Sequence, residues 1–181
     1  MLLSNQQKYI ISVLRKIKYI RSCQLCALTA QHYRLQGIEI SQHRMDVMLR
    51  QLRAGTNFVR LQEDIVCYGK RTVDPRYLEA IDVMLELSGC NPSFLSSERL
   101  ESPFLLRFAG SGEELSYLFT VAWMDAPERI HATSRMKGER IIWISDRRDS
   151  RGIALPHHHI FAVRQEDGTH RFFGSHEPEK I

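Results

Sequence analysis

The sequence predicts an α+β protein: three helices and a hairpin first, then a further helix and a small mixed sheet. Two observations predict it. Apolar residues recur at helical spacing through residues 5–54. Residues 58–68 and 158–174 each show two β-rich runs around a polar turn. The charge balance also changes along the chain. Residues 1–75 carry 12 Lys/Arg against 5 Asp/Glu, a net of +7, whereas residues 76–181 carry 13 against 16, a net of −3. A basic first part joined to a mildly acidic second part points to a polyanion as the partner of the first.

The elements follow in order. Residues 5–20 place Ile10, Leu14 and Ile17 on one helical face, with Lys8, Arg15, Lys16 and Lys18 on the remaining surface. Ser22 is positioned to cap a second helix carrying Leu25, Cys26 and Leu28 and running to about residue 35, before Gly37. Ser41 caps a third helix that ends at Gly55, glycine being the usual stop. Phe58, Val59 and Leu61 lead into the tip Gln62-Glu63-Asp64, and Ile65, Val66, Cys67 and Tyr68 lead out. A turn at Asp74-Pro75 precedes a fourth helix with Tyr77, Ile81, Met84, Leu85 and Leu87, which Gly89 closes. Strands are expected in "SPFLLRFAG", "ELSYLFTVAWMD" and "RIIWISD", with a short helix in 126–137 and a final hairpin turning at Asp167-Gly168. The order helix, strand, strand, helix, strand, strand, strand implies a mixed sheet.

Length and composition fit a globular chain of one or two small domains: 181 residues, 43% hydrophobic and 25% charged. The expected division is 1–72, a linking helix at 73–90, and 91–181. No apolar run approaches the ~20 residues of a membrane span. The N-terminus lacks the layout of a signal peptide, because its lysines interrupt the apolar pattern. A cytoplasmic location is expected. The four cysteines, Cys23, Cys26, Cys67 and Cys90, read as reduced core residues; Cys23-x-x-Cys26 lies in a helical stretch without the strand-to-helix setting of a redox motif.

The third helix divides into two faces. At 100° per residue, Met45, Met48, Leu49 and Leu52 fall within about 100° of one another and form its core side. Opposite lie His43, Val47 and Arg50, with Arg44 and Gln51 on one flank and Asp46 and Arg53 on the other. An arginine there suits guanine or phosphate, a valine suits a thymine methyl, and an i,i+4 pair between Asp46 and Arg50 competes with both.

Taken together, "RSCQLCALTA…ISQHRMDVMLRQLRAGTNFVRLQEDIVCYG" resembles a bacterial winged helix-turn-helix over residues 5–70. That resemblance implies double-stranded DNA as the partner, with Ser41, Gln42, His43, Arg44, Val47, Arg50, Arg53 and Arg60 as contacts. A homodimer is expected, from which a palindromic site would follow, and no membrane partner is expected. The tip residues Glu63 and Asp64 would repel phosphate, so the tip is not expected in a minor groove. "SPFLLRFAG…ELSYLFTVAW…ERIIWISD…HHIFAVRQEDGTHRFFG" resembles a restriction-endonuclease-like core. The whole is similar to replication-relaxation-type and related uncharacterised proteins of Gram-positive plasmids and conjugative elements. Active nucleases of that core need an acid-x-Lys triplet beside a second acid to hold magnesium. Here Glu179-Lys180 are adjacent, and Asp146-Arg147-Arg148 offers only an arginine. A degenerate, non-catalytic core is therefore expected, with no catalytic residue, cofactor or metal.

Two other classes stay open at this point. One is a divergent metal-dependent nuclease using Asp125, Asp146 and the run His157-His158-His159; the other is a protein–protein adaptor without DNA. For the histidine run itself, surface residues at the entrance of a strand are expected.

Overall fold

A computed structural model describes residues 2–34, 36–98, 100–110, 117–126, 128–133, 137–145, 156 and 158–174. Helix α1 spans Asn5–Ile17 and opens on a capping box: Ser4 Oγ accepts from Gln7 N at 3.2 Å, and Gln7 Oε1 accepts from Ser4 N at 3.0 Å. It ends earlier than the periodicity through residue 20 suggests. Lys18 takes a positive φ of 74° and sends its N–H back to Leu14 O. Tyr19–Arg21 then form strand β1, which pairs antiparallel with β3, Ile65–Tyr68. Ile20 is fully buried by that pairing, so tertiary contact overrides a continued helical stripe.

Helix α2, Ser22–Arg34, begins without a Ser22 side-chain cap. Gln24 reaches back from inside the helix to accept from Arg21 N at 2.9 Å, and Ser22 N donates to Asp64 O at 2.7 Å. Helix α3 is Gln42–Gly55 and is capped by Ser41, whose Oγ accepts from Arg44 N at 3.3 Å. Met45, Met48, Leu49 and Leu52 are buried, the face its periodicity predicts. Gly55 is not a left-handed stop. It is the last helical residue, and extended Thr56 ends the helix by donating its hydroxyl to Leu52 O at 2.7 Å. Strand β2, Val59–Gln62, joins β3 through Glu63-Asp64, where Glu63 adopts a φ of 54°. The first sheet has the order β1-β3-β2.

Helix α4 spans Pro75–Ser88, with Asp74 as N-cap and Gly89, at a φ of 56°, as the left-handed C-cap. It packs against α2 and β1 on one side and against the second sheet on the other. Hence Leu78, Ala80, Ile81, Val83, Met84 and Leu85 are all buried, with no solvent stripe left in its middle. One apolar cluster runs through it, from Ile10 and Leu14 to Phe108, Val121 and Ile144.

The second sheet has the order β4-β5-β6-β7-β8-β9. Its strands are Phe94–Leu95, Phe104–Ala109, Leu118–Trp123, Glu139–Ser145, His159–Arg164 and His170–Gly174. β6 to β8 run parallel and the other pairings are antiparallel. The two-residue β4 is too short to signal itself in the sequence; it exists by pairing with β5. The described part of the helix expected in 126–137 is α5, Glu128–Ala132. Its Ile130 joins Trp143, Phe161 and Ile141 in a second cluster on the face away from α4. The protein is a mixed α+β structure, and among the described residues no helix is long and apolar enough to cross a membrane.

Candidate functional site

The surface of α3 opposite its buried face is open to solvent. Ser41, Gln42, His43, Arg44, Val47, Arg50 and Arg53 are all exposed, as is Arg60 on β2, the strand packed against α3. Val47 is 36% exposed, an apolar residue in the middle of a polar row. Among the described residues, none of Arg44, Arg50, Arg53 or Arg60 makes an ion pair with a carboxylate.

Local bonds set several of these side chains. Ser41 spends its hydroxyl on the helix cap. Arg44 Nη1 donates to Glu39 O at 3.0 Å, and Arg50 Nε donates to Asp46 O at 3.3 Å. The expected carboxylate pair between Asp46 and Arg50 is therefore replaced by a bond to the backbone carbonyl. The Asp46 carboxylate is taken from the other side: Gln42 Nε2 reaches its Oδ1 at 2.9 Å and Ser22 Oγ at 2.8 Å, and Ser22 Oγ lies 3.4 Å from the same Oδ1. Sequence reasoning missed Ser22 in this group. The i,i+4 relation of Gln42 and Asp46 was visible, but the approach of Ser22 depends on how α2 and α3 cross. The hairpin tip does not project freely, because Asp64 O is bonded to the start of α2.

A second polar cluster joins α4 to the far edge of the large sheet. The His170 side chain is fully buried, with Nδ1 3.0 Å from Glu86 Oε1 and Nε2 3.2 Å from Glu79 Oε1. The Glu86 Oε2 atom also accepts from His170 N at 3.0 Å, and Arg164 Nη1 lies 3.6 Å from Glu79 Oε2. Burial pulls the imidazole towards neutrality, but the two facing carboxylates outweigh it and raise its pKa above the ordinary 6.5. The His170 bond, against burial, holds Glu79 below the usual carboxylate value. A third group lies inside the same sheet. Arg107 Nε donates to Thr120 Oγ1 at 3.1 Å, its Nη2 lies 3.4 Å from Glu139 Oε1, and Thr120 donates to that carboxylate. These are contacts between strands and helices distant in sequence, and no local pattern announces them.

The histidine run differs from the surface row expected of it. His159 is 3% exposed, and its Nδ1 accepts from Trp143 Nε1 at 3.2 Å, so it satisfies the buried indole. His158 takes a φ of 69°, and His157 lies outside the described residues, as does Asp146. Asp125 is exposed and lines a cleft of about 230 Å³ with Asp74, Arg76 and Trp123. Among the described residues no three His, Cys, Asp or Glu side chains are grouped to hold a metal. The cysteines are free, and only part of the expected core reading holds: Cys26 and Cys67 are buried and Cys90 half-buried, but Cys23 is exposed.

No family model matches the chain, and no curated protein matches it. Among solved structures, protein VC1899 from Vibrio cholerae is similar at 11% identity and a TM-score of 0.18, over 81% of this chain and 49% of that one. The chain thus spans about half the length of that protein, and an overlap at this TM-score does not establish a shared fold.

Proposed function

We propose that the chain binds double-stranded DNA through a winged helix-turn-helix in residues 1–72, with α3 in the major groove. The observation that carries this reading is the outer face of α3. It is a solvent-facing row of His43, Val47 and Arg50, flanked by Arg44 and Arg53, without carboxylate partners for its arginines among the described residues. The element order α1-β1-α2-α3-β2-β3 and the sheet order β1-β3-β2 support it, since both suit a winged helix. The net charge of +7 in residues 1–75 supports a polyanionic partner. The six-stranded sheet would then be a non-catalytic, degenerate endonuclease-like core that carries dimerisation or partner binding. The role that fits this reading is that of a bacterial regulator or a replication or transfer accessory of a mobile element.

The test is fluorescence anisotropy of a random-sequence duplex titrated at stepped salt. Binding should weaken by roughly 0.9 log units per log unit of salt for each phosphate contacted, and Arg53→Ala should lower that slope by about one contact. If the folded chain binds no duplex even at low salt, the reading fails and the adaptor class takes its place. Magnesium-dependent cleavage abolished by Asp125→Ala would overturn the non-catalytic assignment.

A further inference from the structure

We propose that Gln42 and Asp46 form an acceptor-only edge that reads the 4-amino group of a cytosine. The inference rests on the DNA reading of α3 given above and names what that helix selects. The Gln42 amide has two N–H groups, and both are committed: one to Ser22 Oγ at 2.8 Å, the other to Asp46 Oδ1 at 2.9 Å. The opposite amide orientation would set a carbonyl oxygen against a carboxylate oxygen, which is repulsive, so the nitrogen must face Asp46.

A free glutamine reads adenine with a donor and an acceptor together, pairing N7 and N6. Gln42 has no donor left for that contact. Two acceptors remain, Gln42 Oε1 and Asp46 Oδ2, and Oδ2 accepts no hydrogen bond among the described residues. Both side chains belong to the N-terminal part of α3, the part of a recognition helix that meets base edges. Guanine and thymine present acceptors there and would repel this pair. Adenine offers an amine, but its N7 acceptor sits beside it. Cytosine alone shows a donor with no acceptor on the same base, the neighbouring O6 belonging to the paired guanine. Ser22 acts as a positioning residue: from the start of α2 it fixes the Gln42 amide and so the direction of the free oxygen. Arg50, one turn further along the same side of the helix, offsets the repulsion between the Asp46 carboxylate and phosphate.

The experiment is selection from a randomised duplex library with the full chain, repeated with Asp46→Asn and with Gln42→Met, each checked for folding by thermal melting. The wild-type motif should contain a C·G pair that both variants lose. Replacing that cytosine by 2-pyrimidinone, which lacks the 4-amino group, should weaken wild-type binding about fivefold to a hundredfold, the range for one good base contact. It should weaken Asp46→Asn binding far less. A wild-type motif that either folded variant reproduces unchanged, or a 2-pyrimidinone site bound as tightly as cytosine, overturns the inference and leaves DNA binding intact. Absence of any duplex binding by the wild type overturns both together.

Discussion

Replacing His170 by Gln should cost stability in a manner that depends on pH. The side chain is fully buried between Glu79 and Glu86, so the imidazolium donates to a carboxylate from each nitrogen. A hydrogen bond to a charged group contributes about 1.5–3 kcal/mol, and removing one member of a buried charged group costs about 3–5 kcal/mol. The lower end applies here. Arg164 still faces Glu79 at 3.6 Å, and the Glu86 side chain is 28% exposed and keeps some water. We expect a loss of about 3 kcal/mol where the wild-type ring is charged.

The pH dependence follows from the raised pKa. Below the unfolded value of 6.5 both folded and unfolded chains hold the proton, and the stabilisation is fully present. As pH rises through the higher folded value, the ring loses its charge and the advantage disappears. Glu79, whose pKa is lowered, limits the window on the acid side: its contribution is present above 4.5 and is lost as pH falls through its folded value. Urea unfolding of wild type and His170→Gln at about pH 5.5, 7 and 9.5 measures the difference. It should be about 3 kcal/mol at the first pH and fall to about 1 kcal/mol at the last. A difference that is constant across pH, or below about 1 kcal/mol at pH 5.5, refutes the assignment of a charged His170 between two carboxylates.

Two further outcomes are expected. Lys18→Gly should raise stability by about 1 kcal/mol in the same denaturation assay, since a non-glycine residue at a φ of 74° and ψ of −42° is strained; Lys18→Ala should give no such gain. A thiol reagent should label Cys23 rapidly in the folded chain and Cys26 and Cys67 only after unfolding, because the latter two are buried and burial raises their thiol pKa values. Equal labelling rates, read by mass spectrometry, would contradict the packing of α2 and β3.

Much of the candidate face was legible because a helix is a local object. The spacing of Met45, Met48, Leu49 and Leu52 sets the buried side of α3, and everything opposite follows at 100° per residue. Ser41 caps that helix through a bond to the amide three residues on. The break at Asp74-Pro75 before α4, the Gly89 stop and the turn at Asp167-Gly168 were legible for the same reason: each depends on neighbours within a few residues.

Contacts between distant segments were decided only by the tertiary structure. Tyr19–Arg21 could continue a helical stripe, and became a strand because β3 offered a pairing edge that buries Ile20. His159 looked like part of a surface run until Trp143, 16 residues earlier, supplied an indole needing an acceptor. No local pattern singles out Glu79 and Glu86 in α4, and only the arrival of His170, 91 and 84 residues later, makes them the two sides of a buried imidazole. The same holds at the start of α3. Gln42 and Asp46 stand one helical turn apart by sequence alone, but the hydrogen bond that turns the amide, and with it the chemistry of the exposed edge, comes from Ser22 across the α2–α3 crossing. Local periodicity therefore determined which side of α3 faces outward, and packing determined what that side presents, because side-chain hydrogen bonds are satisfied in space and not along the chain.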